Sequence, residues 1–394
     1  MSNSSTRLYF IDAMRAWAIL MMLQGHFIDG LLDTAFRDSS NAVFNVWKYF
    51  RGITAPVFFT VSGFIFTCLL VRGKNLGFKN PRLKKGIKRG LELLFIGYLL
   101  RTNLLGLFSG QLYDSFFMVD VLHCIGLSLL GIISIYLLTY QKKKHVFAIS
   151  LASIAIVLFL FEPMYKQWGF SFLPNAFANY LTKANGSVFT IIPWFGYAAI
   201  GASLSLVFTR FKEIRFFYPI AITTAASLGF CLIYFSSDVF LALSKFTGIQ
   251  LFADIFFNNY LFIRLGDVFI VFAIFMLLRG LMKNSTVLKI GQSTLSIYVV
   301  HFIILYGSFT GLGLYRFLHH SLNPYFAIPG ALLFMFVSTY FALRYEQHKE
   351  EIKLHITTAV KFVFSSVETL AISAYEMAKP RFIRFLRRFG LVKS

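Results

Sequence analysis

Residues 11–31 read IDAMRAWAILMMLQGHFIDGL, an apolar run of membrane-spanning length that nevertheless carries Asp12, Arg15, His26 and Asp29. Arg15 and His26 are eleven residues apart. At 100° per residue that spacing returns to within about 20° of the same face, roughly 16 Å further along the helix. Asp12 and Asp29 fall near the same stripe. Ionisable groups on one face of a membrane helix are costly unless that face lines a cavity or a protein interior. Two readings follow: a polar seam that glues helices together, or a water-accessible reaction site reached from both sides of a membrane.

The composition agrees with a membrane setting. The chain is 57% hydrophobic with 49 Phe and a mean hydropathy of +0.68, outside the range of soluble globular domains. The net charge of +21 would suggest nucleic acid in a soluble protein. Here the basic residues cluster between apolar runs and no nucleic-acid motif accompanies them, so topology accounts for the charge.

Working outward, ten apolar segments are expected to be spanning helices: 9–32, 52–72, 90–109, 117–140, 146–162, 187–208, 217–237, 259–279, 287–308 and 324–345. The fold class is therefore all-α, a polytopic integral membrane protein of about ten helices around a central reaction cavity. Residues 1–345 form the membrane domain and 346–394 a basic cytoplasmic tail. Met1–Arg7 reads as a polar leader to a retained first span, with no cleavable signal peptide. Between spans, Arg72–Arg89 carries eight Lys and Arg, and Lys142–Lys144, Arg210–Arg215, Arg279–Lys289 and the tail are basic too. With both termini cytoplasmic, about 28 basic residues fall inside against about 9 outside.

The outer loops Asp33–Arg51, Phe161–Gly186 and Ser236–Asn258 are aromatic and weakly charged. They read as an interfacial belt or as a sugar-stacking platform. The end of the tail, KPRFIRFLRRFGLVK, sets Arg381, Arg384 and Arg388 on one stripe, with Phe382, Phe385, Leu386 and Phe389 elsewhere, as in a helix lying on an anionic leaflet. Cys68, Cys124 and Cys231 each sit in an apolar run without a CxxC pair. They are expected to be buried thiols, with no zinc site or disulfide framework.

Further polar groups fall inside the apolar segments. Asp120 and His123 share a face at the start of the fourth span, in MVDVLHCIGLSLL. Arg264 and Asp267 do so in the eighth, where mutual neutralisation suggests structure. Thr294, Tyr298 and His301 form a stripe in the ninth, in GQSTLSIYVVH. TAPVFFTVSGF brings Pro56, Ser62 and Gly63 into the second span, and IIPWFGYAAIGASL brings Pro193, Gly196 and Gly201 into the sixth. Proline there is expected to kink a helix and open space, and small residues to permit close packing.

In order, DAMRAWAILMMLQGHFID, FRGITAPVFFTVSGF, the basic stretch leading into KRGLELL, DVLHCIGLSLL, IIPWFGYAAIG and GQSTLSIYVVH resemble the transmembrane acyltransferase superfamily. That superfamily includes the acyltransferase-3 enzymes. The resemblance is nearer to the heparan-alpha-glucosaminide N-acetyltransferase-like branch and covers most of residues 8–345. It implies transfer of an acetyl group from cytosolic acetyl-CoA to an extracytoplasmic glycan or amino sugar. It implies His26 as the catalytic histidine and Arg15 as a donor contact. Where some acyltransferase-3 members carry Arg-x-x-Arg, this chain reads Lys85-Gly86-Ile87-Lys88-Arg89. The implied setting is a bacterial inner membrane, and a second copy of the chain is a candidate partner.

The chemistry suits such residues. Histidine can deprotonate an acceptor or carry the acyl group itself. A carboxylate would orient its ring, and Asp29 and Asp120 are the candidates. His123 and His301, each on its own polar stripe, complete the catalytic set. The phosphates of acetyl-CoA need cations, which Lys85, Lys88 and Arg89 supply with Arg15. No metal is expected. A secondary transporter would also carry intramembrane His, Asp and Arg, but it often shows two related halves, and no internal repeat is visible.

Overall fold

The computed structural model describes residues 8–38, 40–73, 75–111 and 113–388. Met1–Arg7, Lys74 and the side chains of Arg381, Arg384 and Arg388, on which the reading of an amphipathic tail depends, lie outside the described residues. Two compact units emerge, Met1–Ala342 and Leu343–Ser394. The second is helical, with exposed pairs such as Lys349–Glu346 (3.4 Å) and His348–Glu351 (3.3 Å) one turn apart. The candidate site lies wholly in the first.

The principal helices of the first unit, joined by shorter helical segments, are α1 (Tyr9–Leu31), α2 (Ala42–Leu70), α3 (Pro81–Arg101), α4 (Val121–Thr139), α5 (Lys144–Leu160), α6 (Ile191–Phe211), α7 (Phe217–Tyr234), α8 (Tyr260–Leu277), α9 (Ser285–Gln292) and α10 (Thr294–Tyr306). The start of α11 (Pro324–Arg388) completes it. No strand occurs among the described residues, only two isolated bridges, Leu32 with Leu322 and Asn103 with Phe309. The protein is all-α.

Among the described residues, six helices are long and apolar enough to cross a membrane, and α9 with α10, bent by 70° at their junction, make a seventh if counted as one span. The other expected segments are helical but more polar or shorter. In α1 the polar stripe interrupts the apolar run, α3 is strongly basic, and the apolar part of α5 is confined to His145–Leu160. Length and hydropathy thus give six or seven spans where ten segments were expected. Outward-facing Phe95, Leu138, Phe230 and Phe336 clothe the bundle in apolar side chains, which suits lipid and would be a liability in water.

Local chemistry sets the helix ends. Asn41 caps α2 by accepting from the Phe44 N–H, so the helix begins ten residues before the expected 52 and Arg51 lies inside it. Asn80 caps α3 by accepting from the Arg82 N–H, and Pro81 takes the first helical position, where its missing N–H costs nothing. Lys85, Lys88 and Arg89 are consequently helical rather than part of a loop. The sixth span is kinked at its start as expected: α6 breaks at Ile192, whose backbone is extended, as a residue before proline prefers, and the regular helix runs on from Pro193. Pro56 does sit inside α2, and the Thr60 hydroxyl donates to its carbonyl.

Close packing fixes the centre. Gly63 on α2 lies against the Ala198 backbone, and Gly201 on α6 against the Thr60 backbone, so a side chain at either would collide with main chain. Beside this crossing, Phe10, Met14 and Ala18 of α1 join Val57, Val61 and Phe64 of α2 and Val268 and Phe272 of α8 in one buried cluster. The apolar face of α1 is thereby anchored. Its polar face turns toward α10. The thiols differ from expectation: Cys124 is buried, Cys68 half-buried and Cys231 exposed, because α7 presents much of its surface outward.

Candidate active site

The two polar stripes meet along parallel helices. Gly291 of α9 packs against the Asp12 backbone at the start of α1, where any side chain would collide. The chain then breaks at Ser293 and α10 runs beside α1. At the first level the Arg15 guanidinium donates to Thr294 Oγ1 at 2.9 Å and stands 3.9 Å from Asp12 Oδ1. Arg89 of α3 is close enough to act on Arg15 electrostatically. Lys85 and Lys88 are exposed on α3, and Lys88 and Arg89 both approach Glu92, at 3.9 and 3.7 Å. Of the four expected donor contacts, Arg15 is half-buried on α1, while Lys85, Lys88 and Arg89 are all exposed on α3.

At the second level lies His26. Its Nδ1 is 3.2 Å from Tyr306 Oη. The His301 ring approaches edge-on, with centroids 5.3 Å apart. His301 is wholly buried, yet neither ring nitrogen has a hydrogen-bond partner of good geometry. The Tyr298 hydroxyl, equally buried, lies within reach of Asp120. Asp120 is near enough to act electrostatically on His26, Tyr298 and Tyr306. The fold thus gathers His26, His301 and Asp120 from three helices and adds Tyr298 and Tyr306. His301 thus brings two buried ring nitrogens without a partner of good geometry beside the His26 imidazole. Buried polar groups are ordinarily satisfied, so such exceptions concentrate attention on function.

Asp29 and His123 are used otherwise. The Asp29 carboxylate accepts from Arg37 at 2.9 Å and pairs with Arg51, while Arg37 also donates to the Asp29 carbonyl at 3.2 Å. It anchors the turn between α1 and α2 and does not orient the His26 ring. Asp120 and His123 form a capping box at the head of α4. The Asp120 side chain accepts from helix N–H groups, and His123 Nδ1 accepts from the Asp120 N–H at 3.1 Å. Asp120 also receives Arg101 at 3.2 Å. His123 packs edge-on against Tyr98, with ring centroids 4.4 Å apart. Its Nδ1 is thereby committed to the backbone. Arg264 and Asp267 pair at 2.9 Å, with Tyr49 donating to Asp267 at 2.6 Å, which agrees with their structural reading.

Sequence reasoning missed Tyr306, Arg37 and Arg51. Tyr306 follows His301 by five residues, about 140° around the helix and off the expected stripe, and it reaches His26 through the length of its side chain. The arginines meet Asp29 only through the turn between two helices.

This geometry defines a polytopic membrane protein with a buried histidine centre facing a cationic level about three helical turns away. The family described as heparan-alpha-glucosaminide N-acetyltransferase, catalytic, matches residues 7–237, more than half of the chain. The chain belongs to that family and is a membrane acetyltransferase. No curated protein matches it. The match includes Arg15, His26, Arg89 and Asp120 and ends before α10, which supplies Tyr298, His301 and Tyr306.

Proposed function

We propose that this protein moves an acetyl group from cytosolic acetyl-CoA to the amine of an extracytoplasmic amino sugar, the acceptor being of the glucosaminide kind that its family's description names. The observation that carries this reading is the Tyr306–His26–His301 cluster, held one level above Arg15 on the same helix. Arg15 and Arg89 are cations suited to the phosphates of the donor, and Lys85 and Lys88 add attraction at the surface of the same helix. The basic loops favour an orientation with both termini in the cytoplasm, where acetyl-CoA resides, in a bacterial inner membrane.

In this reading His26 is the general base. It takes a proton from the acceptor amine as nitrogen attacks the thioester carbonyl. The C–N bond forms, the C–S bond breaks, and the proton passes to the departing thiolate. Tyr306 holds the imidazole in place through Nδ1. His301, whose ring nitrogens have no partner of good geometry, is suited to donate to the carbonyl oxygen as charge develops there. Asp120 favours the protonated imidazole that forms in passing.

The test uses purified protein in nanodiscs with acetyl-CoA and glucosamine. His26→Ala is expected to abolish N-acetylglucosamine formation while acetyl-CoA still binds. Full turnover in that variant would overturn the assignment. Glucosamine crossing the membrane of proteoliposomes unacetylated would point to a transporter instead.

A further inference from the structure

A groove on the outside of the bundle separates α6 from α7. The two helices are joined by a short turn but pack on different neighbours, α6 chiefly on α2 and α7 chiefly on α8. Gly229 of α7 and Gly266 of α8 each lie against the other's backbone, which draws α7 toward α8. The space left beside α6 measures about 320 Å³. Buried Phe208, Phe272 and Met276 form its depth, and exposed Val207, Ile220 and Leu228 form its lips. Every side chain lining it except Thr224 is apolar.

One end of the groove is cationic. The turn from Arg210 to Phe217 reads RFKEIRFF. Phe211, Ile214 and Phe217 line the groove at three-residue intervals, with Arg210, Lys212 and Arg215 between them. The Ile214 N–H donates to the Phe211 carbonyl and the Phe217 N–H to the Ile214 carbonyl, both at 3.0 Å, which holds this alternation in place. Arg279, just past α8, is half-buried at the same end. It donates to the carbonyl of Met276 at 2.9 Å, and its guanidinium lies 4.1 Å from the Tyr218 ring. The guanidinium groups of Arg210 and Arg215 lie 5.3 and 5.4 Å from the Phe211 and Phe216 rings. Among the described residues no carboxylate pairs with any of the three arginines. The one acid of the turn, Glu213, pairs with Lys212 at 3.5 Å. A guanidinium laid on a ring keeps in-plane N–H groups for an oxyanion.

These two features together select an occupant. A small free anion would leave the apolar recess uncovered, and a neutral hydrocarbon would leave the arginines unmatched. A second copy of a chain carrying a net charge of +21 would bring cation toward cation. A zwitterionic lipid would bring an ammonium group with its phosphate. A lipid whose head is negative overall joins an acyl chain to an unopposed phosphate, in the arrangement the groove presents. Positive-inside charge explains a basic turn, but not a half-buried arginine beside the end of an apolar recess. We infer that this groove binds one anionic phospholipid, with an acyl chain along Phe208, Phe217 and Phe272 and the phosphate on Arg215 and Arg279. The site is separate from the groups around His26 and does not depend on the acceptor.

The experiment uses the full chain in detergent, stripped of lipid, and native mass spectrometry of the first molecule bound. The probes are dioleoyl phosphatidylglycerol, dioleoyl phosphatidylcholine and oleate. Phosphatidylglycerol is expected to bind about tenfold more tightly than either of the others, in keeping with two arginines at its head. Arg215→Gln with Arg279→Gln is expected to erase that preference. Thr224→Phe fills the groove from its exposed wall, keeps every arginine, and is expected to weaken phosphatidylglycerol binding. Lys142→Gln with Lys143→Gln removes two exposed charges from another turn and is expected to leave the preference intact. Thermal unfolding without lipid checks that each variant is folded. If the double arginine variant does not fold, Arg215→Gln alone, in the exposed turn, is expected to reduce the preference, and no reduction there overturns the site. Equal binding of the two phospholipids, or of oleate and phosphatidylglycerol, overturns it. So does binding that is unchanged in Thr224→Phe, or a loss of preference in the Lys142 and Lys143 variant equal to that in the arginine variant. A dimer that Thr224→Phe abolishes, with no lipid preference, gives the groove to a second copy and overturns the lipid site. Failure to acetylate any acceptor would count against the proposed reaction and leave this result standing.

Discussion

His123 and His301 are equally hidden, and the difference between them shows how a fold separates structure from chemistry. His123 closes the head of α4: its Nδ1 accepts the Asp120 N–H, and its ring fills a notch beside Gly97 and Tyr98. His301 caps nothing. Both of its nitrogens remain unmatched, and the nearest imidazole belongs to His26. Burial and residue type are the same at both places. What differs is that the backbone holds one His123 nitrogen, leaving its Nε2 unmatched, whereas neither His301 nitrogen has a partner of good geometry.

That comparison can be broken or sharpened. Because His26 stands at the centre of the unclaimed group, His26→Ala is expected to cost about 10²–10⁴-fold in kcat, the range for a lost general base. A rate within threefold of native would move the base to another residue. His301→Leu keeps the volume and removes both nitrogens. It is expected to lower kcat by about 10²-fold with donor KM little changed, as when one oxyanion donor is lost. A shift in donor KM alone would make His301 a binding group.

Tyr306→Phe deletes one hydroxyl and leaves the ring. A fall of about tenfold in kcat at unchanged thermal stability is expected from its positioning contact with Nδ1. If stability falls instead and kcat holds, Tyr306 belongs with His123 on the structural side. His123→Ala is expected to reverse the pattern: about 1 kcal/mol or more of stability lost with the cap, read as a lower Tm in detergent, and turnover within a few-fold of native. Loss of turnover at unchanged Tm would erase the distinction between the two histidines. The smallest effect is expected from neutralising Lys88 and Arg89 together, a few-fold rise in donor KM with kcat preserved. Unchanged donor affinity there would leave these charges to topology alone.

Much of the helical framework was legible because apolar runs and charge clusters are local signals. The face shared by Arg15 and His26 was legible for the same reason, since helical periodicity turns spacing into direction. The stripe Thr294, Tyr298, His301 was visible too, although its partner was not. Local signals failed where two elements met. Asp29 looked like an orienter for His26 from its i,i+3 spacing, but the turn into α2 brings two arginines to it. Asp120 and His123 looked like a catalytic pair, and their three-residue spacing is equally that of a capping box. Pro81, the first residue of α3, marked a helix start that the surrounding positive charge concealed.

The distance between the two levels of α1 makes the protein a ruler. The Arg15–Thr294 level and the His26–His301 level are separated by about 16 Å of helix rise. In the proposed reaction, a donor must keep its anionic head and its acyl carbon about that far apart to engage both at once. Acetyl-CoA carries a long flexible arm between them. Acetyl phosphate holds the two a few bonds apart, so it can reach one level only, however reactive its acyl group. Selectivity for the donor then arises from reach before any contact with the adenine is made, and a helix of fixed pitch sets the scale.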